Sequence, residues 1–548
     1  KANTNYTNNA IERESNQVTF DRNGNLINAS SVANNFYTNQ AKGEIIFSKN
    51  ANKSFFKNTT TYNGLWNTDK ATTVNNNNNA NQRNVAPSTS VQNSMSAIVP
   101  WKEKLVNVMS FINYRDDKQD LSVTPASYLQ NLDPTLIANS DLVHQYLNLK
   151  TFETIHSASI GFSKNSWTFT PEVGLNFSTN KLITDTYGQS NAGIQNFGAD
   201  YENNLKFQKS NPYAQLMINY KKGSFEANLT SPVNFNKITA NDGVKVDRSL
   251  TKTTYEPRLF ARYDLTSFWK ISSFAGMSYS FGSINDIYGS YILLSARNIT
   301  KKDTDIQQNK SQFVGSALEY RNPLNNIFFN VRYNFNQTDK NILFSYTQDP
   351  SNQQNIVEGL NIDNTAKTNS VRTELGKYFP KFKTNASVSY NYSINNFQQL
   401  TNNVLNNVES QNQGYSVKFN NNYFSWLSVD YNASWAKSLN KTFNNKINSF
   451  NHTLSTYIYP IKDHTIGFTW DELTTKNVSA SRTNSFYDIS YQYSLAKEKM
   501  DIELKVLNIA NTNLYQDVSF NAQFNQTTIR NMNIRPRQVL LTVKFNFK

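Results

Sequence analysis

Apolar and polar residues alternate with a period of two along the last fifteen residues, IRPRQVLLTVKFNFK, from Ile534 to Lys548. Val539, Leu541, Val543, Phe545 and Phe547 fall on one face of an extended strand, with Leu540, Thr542, Lys544 and Asn546 on the other. Such a strand suits a wall between lipid and a watery lumen, and it equally suits a sandwich in a soluble protein. The pattern recurs upstream. Trp167, Phe169, Val173, Leu175 and Phe177 oppose Thr168, Thr170, Glu172, Gly174 and Asn176, and Ile327, Phe329, Val331, Tyr333 and Phe335 oppose Asn330, Arg332 and Asn334. Leu427 to Trp435, Tyr487 to Leu495 and Met500 to Val506 repeat it.

Short polar turns separate these strands, at Asn50–Lys53, Trp101–Leu105, Lys164–Ser166 and Lys221–Gly223, then from Thr266, Asn322, Pro380, Asn421, Pro460 and Ala496. Between the resulting strand pairs lie polar stretches that read as long loops, such as Asn67–Asn93 with its run VNNNNNANQRN. Regular alternation of short turns with long loops, and aromatics at strand ends, favour a transmembrane antiparallel β-barrel over a sandwich. No residue-level repeat accompanies the turns, which disfavours a solenoid or propeller. Residues 1–40, rich in Asn, Ser and Thr, read as a loop, and 41–548 as the barrel. About ten turns join about twenty strands and the terminal strand adds one, giving about 21; bacterial single-chain barrels are even, so about 22 is expected. The missing upward first strand is expected upstream of Lys1, or else Val18 and Phe20 mark it within residues 1–40.

Composition sharpens this picture. Hydrophobic residues make up 38% of the 548 and mean hydropathy is −0.62, polar for a membrane protein. Yet 36 Phe, 30 Tyr and 7 Trp bring aromatics to 13%, and charged residues stop at 17%, below the usual share of about 25%. A barrel gives this combination, because only alternate strand residues meet lipid. No apolar run of about 18 residues exists, which excludes a helical membrane span, and the opening KANTNYTNNA lacks the apolar core of a secretory signal. The absence of cysteine excludes disulfides, thiolate zinc sites and cysteine nucleophiles. The net charge of +14 is scattered and carries no nucleic-acid motif, so anionic lipid headgroups are its expected partners.

Candidate chemistry is sparse. His144, His156, His452 and His464 have no metal-ligand spacing, and no GxSxG, P-loop or GxGxxG context occurs. The acidic pairs Asp116–Asp117 and Asp471–Glu472 fall in predicted loops, as solvated charge. No enzyme, cofactor or metal site is expected. Tyr288 and Tyr291 suit stacking on a sugar or peptide, or else interfacial anchoring or loop packing. Lys301 and Lys302 suit lipopolysaccharide phosphates, or solvent.

Three stretches carry a family resemblance: FYDISYQYSLAKEKMDIELKVLNIANTNLY (Phe486–Tyr515), IRPRQVLLTVKFNF, and DIYGSYILLSARNITKKDTDIQQNKSQF (Asp286–Phe313). They resemble the barrel portion of TonB-dependent outer-membrane receptors, particularly SusC-like and related outer-membrane barrels. The resemblance implies a bacterial outer-membrane location, import of a large nutrient ligand, a TonB-contacting plug, and a SusD-like surface lipoprotein capping the loops. It makes Val539, Leu541, Val543, Phe545 and Phe547 the barrel-assembly signal, which usually ends on the aromatic, whereas Lys548 follows here. Nothing in residues 1–40 resembles a plug. A second reading is therefore a receptor-like barrel serving as a structural or assembly subunit among other envelope proteins, and a third is a surface adhesin of soluble β domains.

Overall fold

The computed structural model describes residues 1–545 apart from 22, 52–53, 76–77, 130–131, 244, 349–353, 478–479, 496, 498 and 522–523. Almost all of it is one sheet of 31 strand segments. The pairing is antiparallel between sequence neighbours from Ala2–Phe20 through Leu26–Ala51, Ser54–Asn75, Asn78–Trp101, Lys104–Thr124, Leu142–Ile160, Trp167–Ser190 and Asn203–Lys222 to Phe225–Asn241. Asp247–Tyr255 and Arg258–Asp264 then share one line against Phe225–Asn241. The ladder goes on through Trp269–Phe281, Gln308–Asn322, Ile327–Lys340, Asn364–Phe379, Thr384–Thr401 and Val404–Asn421. Leu427–Asn440, Asn445–Ile458, His464–Lys476, Ser481–Leu495 and Met500–Leu507 follow.

The last crossing is split. Its lower part, Gln538–Phe545, pairs with Met500–Leu507. Its upper part, Gln526–Asn533, pairs with Leu514–Asn521 and with Ser15–Phe20 of the first strand, so the ladder returns to its start. The 31 segments exceed the strand number expected from the turns, for two reasons: breaks divide several crossings, and short strands form beyond the wall. Among the described residues, segments that continue one another line up as 22 crossings.

Two sequence expectations are corrected. Residues 1–40 are not a loop: Ala2–Phe20 is a strand and Leu26–Ala51 runs through residue 40. The first strand sought upstream is therefore within the chain, and Val18 and Phe20 lie at its end. The stretch Asn67–Asn93 likewise lies in two long strands, Ser54–Asn75 and Asn78–Trp101, paired antiparallel. Polar sequence hides such strands because the backbone ladder, not an apolar stripe, holds them. Their side chains add cross-strand bonds: Asn58 and Asn93 exchange amide hydrogen bonds of 3.1 and 3.0 Å, and Thr72 Oγ1 donates to Asn81 Oδ1 at 2.9 Å.

The short turns lie where expected at one end of the wall. Lys102, Asn165, Gly223, Asn326, Lys383 and Asp463 take positive φ there, as tight hairpins require. The Asn50–Lys53 and Ala496–Lys499 turns fall partly outside the described residues. At the opposite end the long connections are fewer than expected, chiefly 125–141, 191–202, 282–307 and 341–363, because several strands extend into tight hairpins instead. Across the wall, Trp167, Phe169, Val173 and Leu175 are exposed on one face, while Leu182, Thr184 and Thr186 of the same strand are buried on the other. The acidic pairs sit in strands, not loops. Asp117 accepts from Ser88 Oγ at 2.5 Å, Asp471 from Thr453 Oγ1 at 2.6 Å, and Glu472 from Ser485 Oγ at 3.0 Å.

Gly174 lies opposite Tyr213 in the ladder, and the Tyr213 ring covers it. A Cβ at Gly174 would stand 2.5 Å from that ring. Gly174→Leu should therefore lower stability by about 1–3 kcal/mol, read as a lower urea midpoint, with Tyr213→Ala in the same chain relieving much of the loss.

Candidate functional site: the covered long-loop end

The buried apolar groups of the sheet concentrate at the long-loop end, on the face opposite the exposed apolar one. Residues 282–307 leave the wall after Trp269–Phe281 and fold back across that face. Ile284, Ile287, Tyr288, Ile292 and Ile306 pack on Leu182, Leu205, Phe207, Ile238 and Ala240 of the facing strands and on Val246 in the connection after Asn241. Leu293, Ala296 and Ile299 reach further and join Ala80, Leu121, Val123 and Val143, with Leu129, Ile137 and Phe197 from neighbouring loops. Burial of this apolar area is what docks the segment.

Polar groups fix its register. Gln145 makes two buried bonds to Leu293, its Nε2 donating to the carbonyl at 2.9 Å and its Oε1 accepting the N–H at 2.7 Å. The Ala296 N–H donates to Gln82 Oε1 at 2.8 Å, far round the wall from where the segment departs. Lys245 Nζ donates to Ser290 Oγ at 2.9 Å, and Arg248 lies 3.6 and 3.4 Å from the carboxylates of Asp303 and Asp305. Residues 341–363 add a second layer. Leu343–Gln348 pairs with Asn355–Leu360, which runs parallel to Asn298–Lys301. Gln526 Nε2 donates to Gln348 Oε1 at 2.6 Å, tying this layer to the last crossing. The two inward segments thus bridge distant parts of the wall as a cap.

The cap decides between the alternatives for its own residues. Tyr288 is buried, its hydroxyl 2.8 Å from Thr300 Oγ1, so it packs the loop and offers no stacking surface. Burial pushes its phenol up to about 12. Lys302 is half-buried rather than freely solvated: its Nζ donates to the Asn285 carbonyl at 2.7 Å and stands 5.2 Å from the Phe344 ring and 5.8 Å from that of Tyr288. Desolvation lowers its pKa, with Asp286 pulling the other way. Tyr291 is half-buried against Tyr201 at 5.7 Å, with the Lys301 ammonium 5.0 Å from its ring. The histidines are scattered. His144 Nε2 lies 2.5 Å from Asp120 Oδ1, His452 packs edge-on to Trp470, His464 Nδ1 lies 2.6 Å from the Tyr491 hydroxyl, and His156 is on Leu142–Ile160. Among the described residues no three His, Cys, Asp or Glu side chains gather as a metal site. Val539, Leu541, Val543 and Phe545 stand exposed on the terminal strand, and Phe547 is outside the described residues.

Sequence reasoning missed a groove of about 980 Å³ at this end, because its lining comes from seven strands with no local motif. Lys252, Lys310, Lys340 and Lys367, with Asp339, Asp363 and Glu409, supply its charges. Two of the three carboxylates are engaged: Asp339 accepts from Thr365 Oγ1 at 2.9 Å and Gln337 Nε2 at 3.1 Å, and Glu409 from Lys441 Nζ at 2.6 Å. Lys252 donates to Gln308 Oε1 at 2.8 Å and stands 5.2 Å from the Tyr279 ring. The arrangement can hold a polar ligand through ammonium and amide groups, with Tyr279 and Phe397 as apolar surfaces.

No family model and no curated protein matches the chain. Among solved structures it is similar to the copper transporter OprC, at 10% identity and a TM-score of 0.46, covering 97% of this chain and 80% of that one. It is also similar to the siderophore receptor PiuA from Acinetobacter baumannii, at 10% identity and 0.46 over 95% and 81% of the two chains. The ferric citrate transporter FecA in its unliganded form gives 8% identity and 0.45 over 95% and 78%. Likeness this loose, with TM-scores below one half, assigns neither family nor activity.

Gln145→Leu strands the Leu293 N–H and carbonyl and should weaken docking of the cap by about 1–3 kcal/mol, seen as faster tryptic cleavage at Lys301 and Lys302 in the folded chain. Docking should also carry an alkaline signature from Tyr288. Below pH about 10 the phenol is protonated whether the cap is docked or released, and its contribution is intact. Between there and its docked value of about 12 only the released form ionises, so docking weakens as pH rises. Lys302, held low by burial, acts in the opposite sense, so the difference made by Tyr288→Phe isolates the phenol. A spin label on Leu294→Cys should gain mobility over that range in the parent and less so in the Phe variant.

Proposed function

We propose that this chain is a bacterial outer-membrane β-barrel of 22 crossings whose short turns face the periplasm and whose capped end faces outward. It serves as the barrel of a TonB-dependent, SusC-like receptor that imports a large nutrient ligand, without catalysis. The observation that carries this reading is the cap. A segment that leaves one part of the wall and is fastened to another, beside a polar groove, turns a tube into a selective mouth. The exposed apolar face suits lipid, and the other face offers a polar interior. Lipopolysaccharide would surround the outer rim. The partners are the TonB system, acting through a plug domain, and a SusD-like surface lipoprotein over the loops. Val539, Leu541, Val543, Phe545 and Phe547 serve as the assembly signal recognised during insertion.

The test is genetic and biochemical together. The chain should fractionate with the outer membrane and show heat-modifiable gel mobility. Deleting its gene should abolish growth of its host on at least one oligosaccharide or peptide source, restored by the intact gene. Retention of growth on every source, with loss of another envelope complex from the membrane, would overturn the import reading in favour of a scaffold.

A further inference from the structure

At one line the wall is only half joined. Between the first strand and the last crossing, Ser15–Phe20 pairs with Thr527–Met532, and Asn533 Nδ2 donates to Glu14 Oε2 at 3.1 Å where that ladder stops. Among the described residues no ladder joins Ala2–Glu14 to Gln538–Phe545. Both stretches show it in their exposure. All residues from Ala2 to Glu14 are exposed, as are Val539–Phe545, on both faces alike. A fully paired stretch such as Trp167–Leu175 alternates instead.

The two edges are nevertheless matched. Carried on without insertion, the register of Ser15 with Met532 sets Asn8 against Val539, Tyr6 against Leu541, Thr4 against Val543 and Ala2 against Phe545. The two strands then end together. Their faces agree as well: Ala2 and Ala10 lie opposite Ile45 and Tyr37, which are exposed with Tyr6 on the outward face that Val539, Leu541 and Val543 would share.

The link between the two halves is tied to the turn behind it. Residues 534–537, between the two halves of the last crossing, are not in a strand. The Ile534 N–H donates to the Asn513 carbonyl at 3.0 Å. Arg537 fastens the start of the terminal strand to the turn behind it: its N–H donates to Asn511 Oδ1 at 2.9 Å, and its guanidinium Nε and Nη2 donate to the Ile509 carbonyl at 3.1 and 2.5 Å.

We propose that this line is a lateral gate in the short-turn half of the wall, with Arg537 as its latch. With the latch made, the wall stands open as in this structure; with it released, the terminal strand zips onto Ala2–Glu14 in the register already set above. Because unpaired backbone groups are costly in lipid, the membrane favours the zipped state and the latch opposes it. The membrane part of this argument rests on the outer-membrane reading, whereas register and latch do not.

The chain has no cysteine, so pairs can be introduced cleanly. Tyr6→Cys with Leu541→Cys, and Thr7→Cys with Leu540→Cys, test the outward and inward faces. Tyr6→Cys with Phe545→Cys is the shifted control. Folded chain in detergent, checked by heat-modifiable mobility, is treated with a short bis-alkylating thiol reagent. The register pairs should cross-link and the shifted pair should not, and adding Arg537→Ala should raise the cross-linked fraction several-fold. Cross-linking of the shifted pair as strong as that of the register pairs would overturn the preset register. No response to Arg537→Ala would overturn the latch. Fractionation of cells reports the membrane location separately, so failure there leaves the cross-linking result standing.

Discussion

Backbone pairing is the constraint on which the rest of this molecule depends. In a sheet of this size, side chains cannot select each strand, since much of the sequence is Asn, Ser and Thr. What fixes a strand is that its N–H and C=O groups must find partners, and a neighbour already in place supplies them. Tight turns at one end set which residues meet, and the register then carries along strands of 19 to 26 residues in the first four crossings. Thr and cross-strand amide pairs strengthen a ladder that apolar burial does not.

This explains what was legible in the sequence and what was not. The terminal strand, Ile327–Phe335 and Leu427–Trp435 could be read because one face meets an apolar surround, leaving a period-2 signature. The turns could be read because they concentrate Gly, Asn, Lys and Pro. Ala2–Phe20 and the Asn-rich stretch Asn67–Asn93 could not, because their polar residues leave no period-2 apolar stripe. For Ala2–Phe20 the signals were Val18, Phe20 and the odd strand count, which called for one more crossing.

The capped end was hidden for a different reason. Ile284, Ile287, Ile292 and Leu293 are apolar, but they lie in a stretch without strand or helix period, so their burial is a tertiary fact. Their partners, such as Leu121, Leu205 and Ile238, sit on strands whose pattern at those positions looked like any other wall. Gln145 and Gln82 read as ordinary polar wall positions, although each holds the backbone of a segment more than a hundred residues away. The groove is equally diffuse, a product of neighbouring strands rather than of a motif.

The cap also has a mechanical meaning. Because it is fastened to Asn78–Trp101 through Gln82 and to the last crossing through Gln348, it works as a spoke across a hoop. A hoop with a spoke keeps its cross-section; a hoop without one can flatten or spread. The long-loop end of this wall is therefore braced against changes of shape, and the end with the short turns is left free to make them.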